Sequence, residues 1–351
     1  MKTLIKTARE KKGLMLREVA QMLGVDAALV SKFESGTRKP TKAQVHKLSE
    51  ILDMDANELM VSWLKEKILY EIGDDNDLAL QAMIAAEAEI KYKLSSSKLA
   101  IPKAIKSLLS EIDKLKKKLD KFRKFDSYRI AQALELEYTF DSNRIEGNTL
   151  TLKETDLVVN EGLTISGKSM REHLEAINHK EAIEYVKHLI EKKTSINERE
   201  VLAIHNLILR GIDQPNAGVY RKVQVMIKGS SHTPPQPFLV GKQMEDYFHW
   251  YLTNKSRLHP IVLAAEMHER LVTIHPFIDG NGRTSRLVMN LILLKHGYVI
   301  ANLKGDSKSR MSYYNALEKA QIQNNKNEFI ELIALVELDS LKRYLKIIGK
   351  D

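Results

Sequence analysis

The sequence predicts a mainly α-helical protein of more than one domain, with a single β-hairpin inserted late in the chain. Three observations predict this class. Apolar residues recur three and four positions apart through most of the 351 residues, which is the spacing of one helix face. Short helical segments with glycine and acidic boundaries follow one another through the first 60 residues. Between Gly211 and Trp250, β-branched and aromatic residues stand on either side of turn residues, a pattern typical of a hairpin.

Composition limits the functional classes. Hydrophobic residues make up 43% of the chain and charged residues 29%, as in an ordinary soluble protein. No run of about 18 apolar residues occurs and the first ten residues already form a charged helix pattern, so we expect neither a membrane span nor a signal peptide. The absence of cysteine excludes disulfides and thiolate metal sites and fits a reducing compartment, so a cytoplasmic location is expected.

The net charge of +9 is spread unevenly. Residues 1–50 carry 11 lysines and arginines against 5 acidic residues, residues 51–90 carry 2 against 10, and residues 91–130 carry 13 against 4. Such blocks indicate separate surfaces rather than one uniformly basic protein. The lysines within residues 104–125 surround an apolar helix face. We interpret them as a solvated bundle face, with an acidic partner or nucleic acid as the alternative.

Two short helices near the start of the chain follow each other closely. A helix over residues 16–23 ends at Gly24, and Asp26 caps a second helix that Gly36 closes. Two short helices joined by a glycine-containing turn are typical of a helix-turn-helix. The segment LREVAQMLGVDAALVSKFESGTRKP resembles the Cro/repressor type of this domain, with five helices over roughly 60 residues.

That resemblance implies that the second helix of the pair enters the DNA major groove. Ser31 and Lys32 are candidates for DNA contacts, and Arg38 and Lys39 are candidates for phosphate contacts. Ala27 and Ala28 occupy the base-facing start of this helix and offer no hydrogen-bond donor, a departure from good DNA readers. We therefore expect DNA binding, with a retained scaffold that binds protein or nothing as the alternative.

The strongest signal is the stretch TIHPFIDGNGRTSR, residues 273–286. Residues 280–282 can aim consecutive backbone N–H groups into one concavity, and the helix that follows adds the positive end of its dipole. Arg283 and Arg286 project from the first turn of that helix, and guanidinium groups suit phosphate oxygens. The stretch therefore predicts a phosphate cradle.

Two further residues of this stretch suggest chemistry. Asp279 is a hard oxygen ligand beside the cradle, the usual arrangement for Mg²⁺. His275 precedes the cradle and can take a proton from an attacking hydroxyl at neutral pH. The alternative is a glycine-capped turn in which His275 is an ordinary core residue. His268 lies seven residues earlier but no third ligand accompanies it, so we interpret it as a packing residue.

The stretch resembles the signature of the Fic family, His-Pro-Phe-x-(Asp/Glu)-Gly-Asn-Gly-Arg-x-x-Arg, and matches every defined position. The resemblance implies transfer of AMP from ATP to a protein hydroxyl, with His275 as the base and Asp279 as the Mg²⁺ ligand. It assigns phosphate binding to Gly280, Asn281, Gly282, Arg283 and Arg286. The related Doc kinases have lysine at the position of Gly282, which favours AMP transfer over phosphorylation.

A second motif precedes the signature. Ser142 and Glu146 in SNRIEGN fall on one helix face, and Gly147 can end that helix. The motif resembles the Fic inhibitory motif (Ser/Thr)-x-x-x-Glu-(Gly/Asn), which predicts an N-terminal inhibitory helix near residues 137–147. The resemblance implies that Glu146 pairs with Arg286 and denies it to the γ-phosphate. Family members with this glutamate sometimes also remove AMP.

The remaining assignments also depend on the resemblance. Fic proteins have a β-hairpin flap that aligns the backbone of the target by strand addition, and the segment between Gly211 and Trp250 resembles it. The expected tip of the flap consists of His232, Pro234 and Pro235, and its base of Met226 and Ile227. Tyr314 and Gln321 are expected to contact adenine, with a core pair of Tyr313 and Tyr314 as the alternative.

The predicted architecture is a helix-turn-helix domain (1–60), a helical connector (61–127), a Fic domain (128–343) and a C-terminal tail (344–351). The predicted function is ATP- and Mg-dependent protein adenylylation restrained by Glu146. The target is a protein with a hydroxyl side chain, this chain itself included, and DNA is the second partner. The alternative is a DNA-binding regulator whose Fic core only senses nucleotide or modifies itself. A homodimer is left open, and the sequence does not identify the target.

Overall fold

The computed structural model of the chain describes residues 1–73, 76–95, 101–122 and 128–349. Within these ranges the chain forms sixteen α-helices and no β-strand. They belong to two compact units, Met1–Lys91 and Tyr92–Asp351. None of the helices in these ranges is both long and apolar enough to cross a membrane. The mainly helical class is confirmed, whereas the predicted hairpin is not.

The first unit contains the five helices predicted for the start of the chain, and the first part of a sixth. They are α1 (Lys2–Lys11), α2 (Leu16–Leu23), α3 (Ala27–Ser35), α4 (Lys42–Leu52), α5 (Ala56–Ile72) and α6 (Asn76–Ser95). Gly24 and Gly36 end α2 and α3 in the left-handed conformation, with φ of 79° and 83°. The apolar faces of α1 to α5 enclose a core that includes Val30, Phe33 and Leu48.

The second unit is a bundle of longer helices. They are α7 (Lys103–Asp120), α8 (Tyr128–Ile145), α9 (Leu152–Asn160), α10 (Met170–Glu191), α11 (Glu198–Leu209), α12 (Pro237–Asn254), α13 (Pro260–Ile274), α14 (Asn281–Lys295), α15 (Ser307–Gln323) and α16 (Asn327–Ile347). Helices α13 and α14 form its centre, because almost every side chain of both is buried. A helix buried on all sides belongs to a core. The loop 275–280 therefore joins the two most buried helices of the bundle.

The C-terminal part of α8 is fixed to the chain segment after α14. The Asp141 carboxylate accepts hydrogen bonds from Asn302 Nδ2 at 2.8 Å, Lys304 Nζ at 3.2 Å and the Gly305 N–H at 3.0 Å. A Cβ atom on Gly305 would lie 2.8 Å from the Asp141 carbonyl oxygen, so only glycine permits this close approach. These contacts determine where α8 ends relative to α14.

The segment predicted to be a hairpin flap is an irregular loop, residues 217–236, that doubles back on itself. Its two arms are joined by side chains instead of a backbone ladder. Arg221 Nη2 donates to the Pro235 carbonyl oxygen at 2.6 Å, and Gln224 Nε2 donates to that of Pro234 at 2.9 Å. Proline has no backbone N–H to donate, so the Pro234–Pro235 pair cannot continue a ladder. This explains why the predicted strands do not pair.

The tip of the loop also differs from the prediction. The chain turns at residues 227–230, where the Ser230 N–H donates to the Ile227 carbonyl oxygen and Gly229 has φ of 78°. Met226, 90% exposed, therefore lies near the tip rather than the base. His232 lies on the returning arm together with the two prolines, and its Nε2 is 2.9 Å from the Thr273 carbonyl oxygen. The prediction that these three residues form the tip was wrong, because Gly229 makes the turn before them.

Candidate active site

The loop after α13 is held in shape by one side chain. Asn281 Oδ1 accepts from the Phe277 N–H at 3.0 Å, and Asn281 Nδ2 donates to the Phe277 carbonyl oxygen at 2.9 Å. Phe277 is itself completely buried. The amide group of Asn281 is thus engaged in closing the loop, which leaves its backbone N–H as the group available to a ligand. Its predicted role in phosphate binding is therefore restricted to the backbone.

The start of α14 has the geometry of an anion site. Gly280 precedes the helix with φ of 78°, and no side chain in the described part of the chain caps it. The N–H of Thr284 bonds to the Gly280 carbonyl oxygen at 2.9 Å, so the N–H groups of residues 281–283 are the orphan donors of this helix end. Backbone donors and the helix dipole together favour an anion here.

The guanidinium of Arg286 is buried and held by the end of α8. Its Nη2 lies 2.7 Å from Glu146 Oε1 and donates to the Ser142 carbonyl oxygen at 2.9 Å, while its Nε donates to Ser142 Oγ at 3.0 Å. Arg286 is 1% exposed, whereas the Glu146 side chain is 31% exposed. Burial by itself lowers the pKa of Arg286, but the Glu146 carboxylate together with Tyr313 and Tyr138 raises it above its ordinary value, so the guanidinium stays charged. The pairing predicted from the sequence is present.

The Glu146 carboxylate also covers the start of α14. A Cβ atom built on Gly282 would lie 2.3 Å from Glu146 Oε1 and 3.1 Å from Arg286 Nη1. Such distances leave no space for any side chain at this position. Glycine at position 282 therefore lets the carboxylate approach the backbone donors of the helix start.

Asp279 is surrounded by cations. Its Oδ1 accepts from the Gly280 N–H at 2.5 Å and from Arg283 Nη2 at 3.2 Å, and its Oδ2 pairs with Arg171 Nη2. Burial alone would raise the pKa of Asp279, but Arg283, the Gly280 N–H and Arg171 together lower it, so the carboxylate is ionised at neutral pH. Arg283 is 2% exposed and is also paired with Glu175, at 3.2 Å. A hard, ionised oxygen ligand beside an anion cradle fits Mg²⁺.

No group of three or more metal-binding side chains occurs in the described ranges. A Mg²⁺ ion at Asp279 would therefore take most of its oxygen ligands from phosphate and water, as Mg²⁺ commonly does at nucleotide sites. The chemistry of Asp279 fits that arrangement and does not fit a cage built only from protein.

His275 ends α13 in the left-handed conformation, with φ of 50°. Its Nδ1 lies 3.3 Å from the Val272 carbonyl oxygen. Because a carbonyl oxygen only accepts, Nδ1 carries the proton and Nε2 has the free lone pair. Burial lowers the pKa of His275 to about 4, so the ring is neutral at pH 7. Arg221 Nε donates to the His275 carbonyl oxygen at 2.8 Å and fixes its backbone. The residue has the protonation state of a general base.

Sequence reasoning missed His205 on α11. Its ring stacks on Phe277 with centroids 3.6 Å apart. Its Nδ1 accepts from the Gly218 N–H at 2.9 Å, so its Nε2–H donates to the Asp279 carbonyl oxygen at 2.9 Å. Burial lowers the pKa of His205 to about 4. It occupies a buried position of an amphipathic helix, a pattern that predicts a core residue and nothing more.

The two adjacent tyrosines of α15 have different environments. Tyr313 is buried, and its hydroxyl lies 3.1 Å from Nε2 of the buried His268. Tyr314 is 41% exposed, and its hydroxyl donates to the Ile145 carbonyl oxygen at 3.0 Å, beside the inhibitory motif. Gln321 lies two turns further along the same helix face and is partly buried. Tyr314 and Gln321 thus remain the predicted adenine contacts, with Tyr313 and His268 in the core.

The predicted DNA contacts in the first unit are not equivalent. Ser31, Lys32 and Arg38 are exposed on α3 and the turn after it. Lys39 instead donates from Nζ to the Glu66 carbonyl oxygen at 2.8 Å and lies 4.3 Å from the centroid of the Tyr70 ring. Its ammonium group therefore packs against α5, a contact that the sequence did not reveal.

Two segments of the chain match known protein families. Residues 195–293 match the Fic/DOC family and residues 5–59 match the helix-turn-helix family. A protein adenylyltransferase Fic of Nematostella vectensis is 36% identical over 260 residues, which are 72% of this chain and 60% of that protein. One of Drosophila grimshawi is 36% identical over 210 residues, 60% of this chain and 42% of its own length. The chain thus spans about half the length of these relatives.

Solved structures resemble this fold. The structure of Fic-1 (aa134–508) from C. elegans has a TM-score of 0.63 and 24% identity, and the match covers 98% of this chain and 97% of that one. A Fic family protein from Desulfovibrio desulfuricans G20 has a TM-score of 0.61 and 26% identity, with 72% of this chain and 77% of that chain covered. The helical architecture is therefore one already observed experimentally.

Proposed function

We propose that this chain, which carries a Fic/DOC domain and a helix-turn-helix domain, is a protein adenylyltransferase that moves AMP from ATP to a protein hydroxyl. One observation carries the proposal: a neutral histidine, an ionised aspartate and an uncapped helix start lie on a single loop between two buried helices. Base, metal ligand and phosphate donors are the groups that such a transfer needs. The names of the relatives support the same reaction.

In the proposed reaction, a Ser, Thr or Tyr hydroxyl oxygen of the target attacks the α-phosphorus of ATP. The new oxygen–phosphorus bond forms as the bond from the α-phosphorus to its leaving oxygen breaks, and pyrophosphate departs. His275 Nε2 accepts the hydroxyl proton, because Nδ1 already carries one. A base with a pKa of about 4 is unprotonated and ready at neutral pH.

The phosphates would be held by backbone and arginine groups. The N–H groups of residues 281–283 supply uncharged donors, and Arg286 supplies the guanidinium for the γ-phosphate. Asp279 would hold Mg²⁺, whose charge stabilises the departing pyrophosphate. Arg283 is already paired with Asp279 and Glu175, so it acts mainly by keeping Asp279 in place.

The proposed enzyme is restrained by Glu146. Its carboxylate lies 2.7 Å from Arg286 Nη2, where the γ-phosphate would bind, and would repel that phosphate. ATP can then bind only in a pose unsuited to in-line attack. The same carboxylate is partly exposed and can orient water, so removal of AMP from a modified target is a second proposed activity.

The proposal is tested with ATP labelled on the α-phosphate. Glu146→Gly protein with Mg²⁺ and host lysate is expected to transfer label to protein, itself included, and the Glu146→Gly, His275→Ala double variant is expected to transfer none. Mass spectrometry should show one AMP on each modified side chain. A single phosphate instead would identify a kinase. No label from either variant, with both folded, would refute adenylylation.

A second candidate function follows from exposed Lys32 and Arg38 on the helix-turn-helix domain. Under this alternative the chain is a DNA-binding regulator, and its Fic core senses nucleotide or modifies only itself. DNA binding by the wild type, combined with no labelled protein other than the chain, would favour the regulator.

A further inference from the structure

Arg171, near the start of α10, contacts the carboxylate to which the proposed function assigns the metal. We infer that Arg171 competes with the divalent cation for Asp279, so that metal binding requires this guanidinium to leave. The inference rests on the proposed function, because it takes Asp279 as the metal ligand. It adds a residue that the signature motif does not contain.

The two oxygens of Asp279 differ in their partners. Oδ1 faces inward, where it accepts from the Gly280 N–H at 2.5 Å and from Arg283 Nη2 at 3.2 Å. Oδ2 is the oxygen that pairs with Arg171 Nη2. Arg283 is 2% exposed and its other nitrogen is paired with Glu175, so it cannot withdraw. A cation that binds Asp279 from the solvent side must therefore displace Arg171 from Oδ2.

Arg171 is able to withdraw. Its side chain is 55% exposed and that of Asp279 is 38% exposed, and ion pairs at such exposure contribute little to stability. Arg171 Nε also donates to Glu175 Oε1 at 3.2 Å, one helical turn away. This second contact can persist when Asp279 is released, so neither charge is left buried without a partner.

The contact also complements the one at the other end of the cradle. Glu146 forms an ion pair with Arg286, the residue proposed to bind the γ-phosphate. Arg171 forms an ion pair with Asp279, the residue proposed to bind the metal. Each ligand-binding charge is thus neutralised by a residue of opposite charge from outside the signature motif. Two cations cannot share Asp279 Oδ2 at close range without strong repulsion. Removing Arg171 should therefore favour the metal.

The experiment measures Mn²⁺ binding directly, by electron paramagnetic resonance, with a non-hydrolysable ATP analogue bound to full-length Glu146→Gly protein. Arg171→Gln in this background is expected to lower the Mn²⁺ concentration for half-saturation about two- to fivefold, the range for an exposed ion pair. The matched control is Arg210→Gln, which removes another exposed arginine that pairs with α10, through Glu181. The control should leave Mn²⁺ binding unchanged.

The outcomes separate the inference from the proposed function. Unchanged or weaker Mn²⁺ binding in Arg171→Gln would overturn the competition, as would an equal gain in Arg210→Gln, which would indicate only a general charge effect. If the parent Glu146→Gly protein binds no ATP analogue at all, the proposed function fails instead. Analogue binding is followed by a fluorescent nucleotide, so neither readout depends on catalysis.

Discussion

The starts of α3 and α14 each have an aspartate at or beside the cap position, and they differ in the backbone N–H groups that they leave without a side-chain partner. Asp26 caps α3 and accepts the Leu29 N–H at 2.6 Å, so one of the donors at this helix start has a side-chain partner within the protein. Gly280 precedes α14 without a side-chain cap in the described part of the chain, so the N–H groups of residues 281–283 are left for a ligand. A helix start whose N–H groups are capped by a side chain has fewer donors for a ligand, whereas an uncapped and buried helix start can bind an anion.

The basic residues near these two helices differ in burial. Arg286 is 1% exposed and needs Glu146 or a phosphate as its partner, because an unpaired buried charge is costly. Lys32 and Arg38 are exposed, so salt would screen their attraction to a charged partner. Changes near α14 should therefore have large and specific effects, and changes near α3 should have small effects that depend on ionic strength.

The largest effect is expected for Gly282→Ala in the Glu146→Gly background. The added methyl group fills the cradle and lies 3.1 Å from Arg286 Nη1, so phosphate cannot approach the backbone donors. Loss of such a donor costs about a hundredfold or more in rate, which the transfer of labelled AMP measures. Gly282 is helical and needs no left-handed conformation, so the fold should persist.

The matched control is Gly241→Ala in α12, where an added Cβ meets nothing within 4 Å. It should stabilise the protein by about 0.5–1 kcal/mol and leave AMP transfer unchanged. Equal activity in the two alanine variants would show that phosphate does not lie against Gly282.

The next largest effect is expected for His205, which stacks on Phe277 and bonds to the Asp279 carbonyl oxygen in the loop before α14. His205→Phe keeps a ring on Phe277 but leaves the Gly218 N–H and the Asp279 carbonyl oxygen without their hydrogen bonds. Unfolding in urea should show a loss of about 1–3 kcal/mol. AMP transfer in the Glu146→Gly background should fall about tenfold at a temperature where the protein is folded, as expected for a displaced catalytic loop.

The control for this change is His259→Phe at the other end of α13. His259 also makes two kinds of contact, with the Ile261 N–H and with Asp113. Its loss should destabilise the protein without lowering AMP transfer by the folded enzyme. Loss of transfer in both variants would mean that His205 matters only for stability.

Features that depend on neighbouring residues could be predicted from the sequence, whereas contacts between distant residues could not. Local features were predictable, because the glycines that end α2 and α3, the Asp26 cap and the start of α14 after Gly280 all depend on nearby residues. The pairing of Glu146 with Arg286 spans 140 positions, and only the resemblance to a family suggested it. The contacts of His205 and Arg171 with Asp279 arise from tertiary packing, and neither residue differs in sequence from an ordinary core histidine or surface arginine.

The hairpin shows the opposite case, in which a correct local signal gave the wrong element. Residues 217–236 have strand-like composition and they do double back. However, Arg221 and Gln224 bond to the carbonyl oxygens of a proline pair, which has no N–H groups for a ladder. β-Propensity describes side chains that fit a pleated surface and does not ensure that the backbone pairs.

The third prediction concerns pH. Burial lowers the pKa of His275 to about 4, so the base stays neutral down to about pH 5. In the Glu146→Gly variant, kcat/KM for AMP transfer should halve near pH 4, whereas an unperturbed histidine would halve it near pH 6.5. His205 is also buried, with a pKa of about 4, so folding favours its neutral form. Protonation of His205 at low pH therefore opposes folding, and circular dichroism should be used to verify that the protein stays folded across this pH range. Stability should accordingly fall as pH drops from about 6.5 to 4.

The smallest effect is expected at the exposed helix. If α3 binds DNA, Lys32→Gln and Arg38→Gln should each reduce the slope of log affinity against log salt by about 1, because each removes one phosphate contact. Lys39→Gln should change it less, because Lys39 Nζ is already bound to the Glu66 carbonyl oxygen. Fluorescence anisotropy with a duplex at several salt concentrations measures these slopes, and Gly282→Ala serves as the unaffected control. Equal losses for Lys39 and Lys32 would contradict this prediction, because they would show that Lys39 leaves the Glu66 carbonyl oxygen and contacts a phosphate.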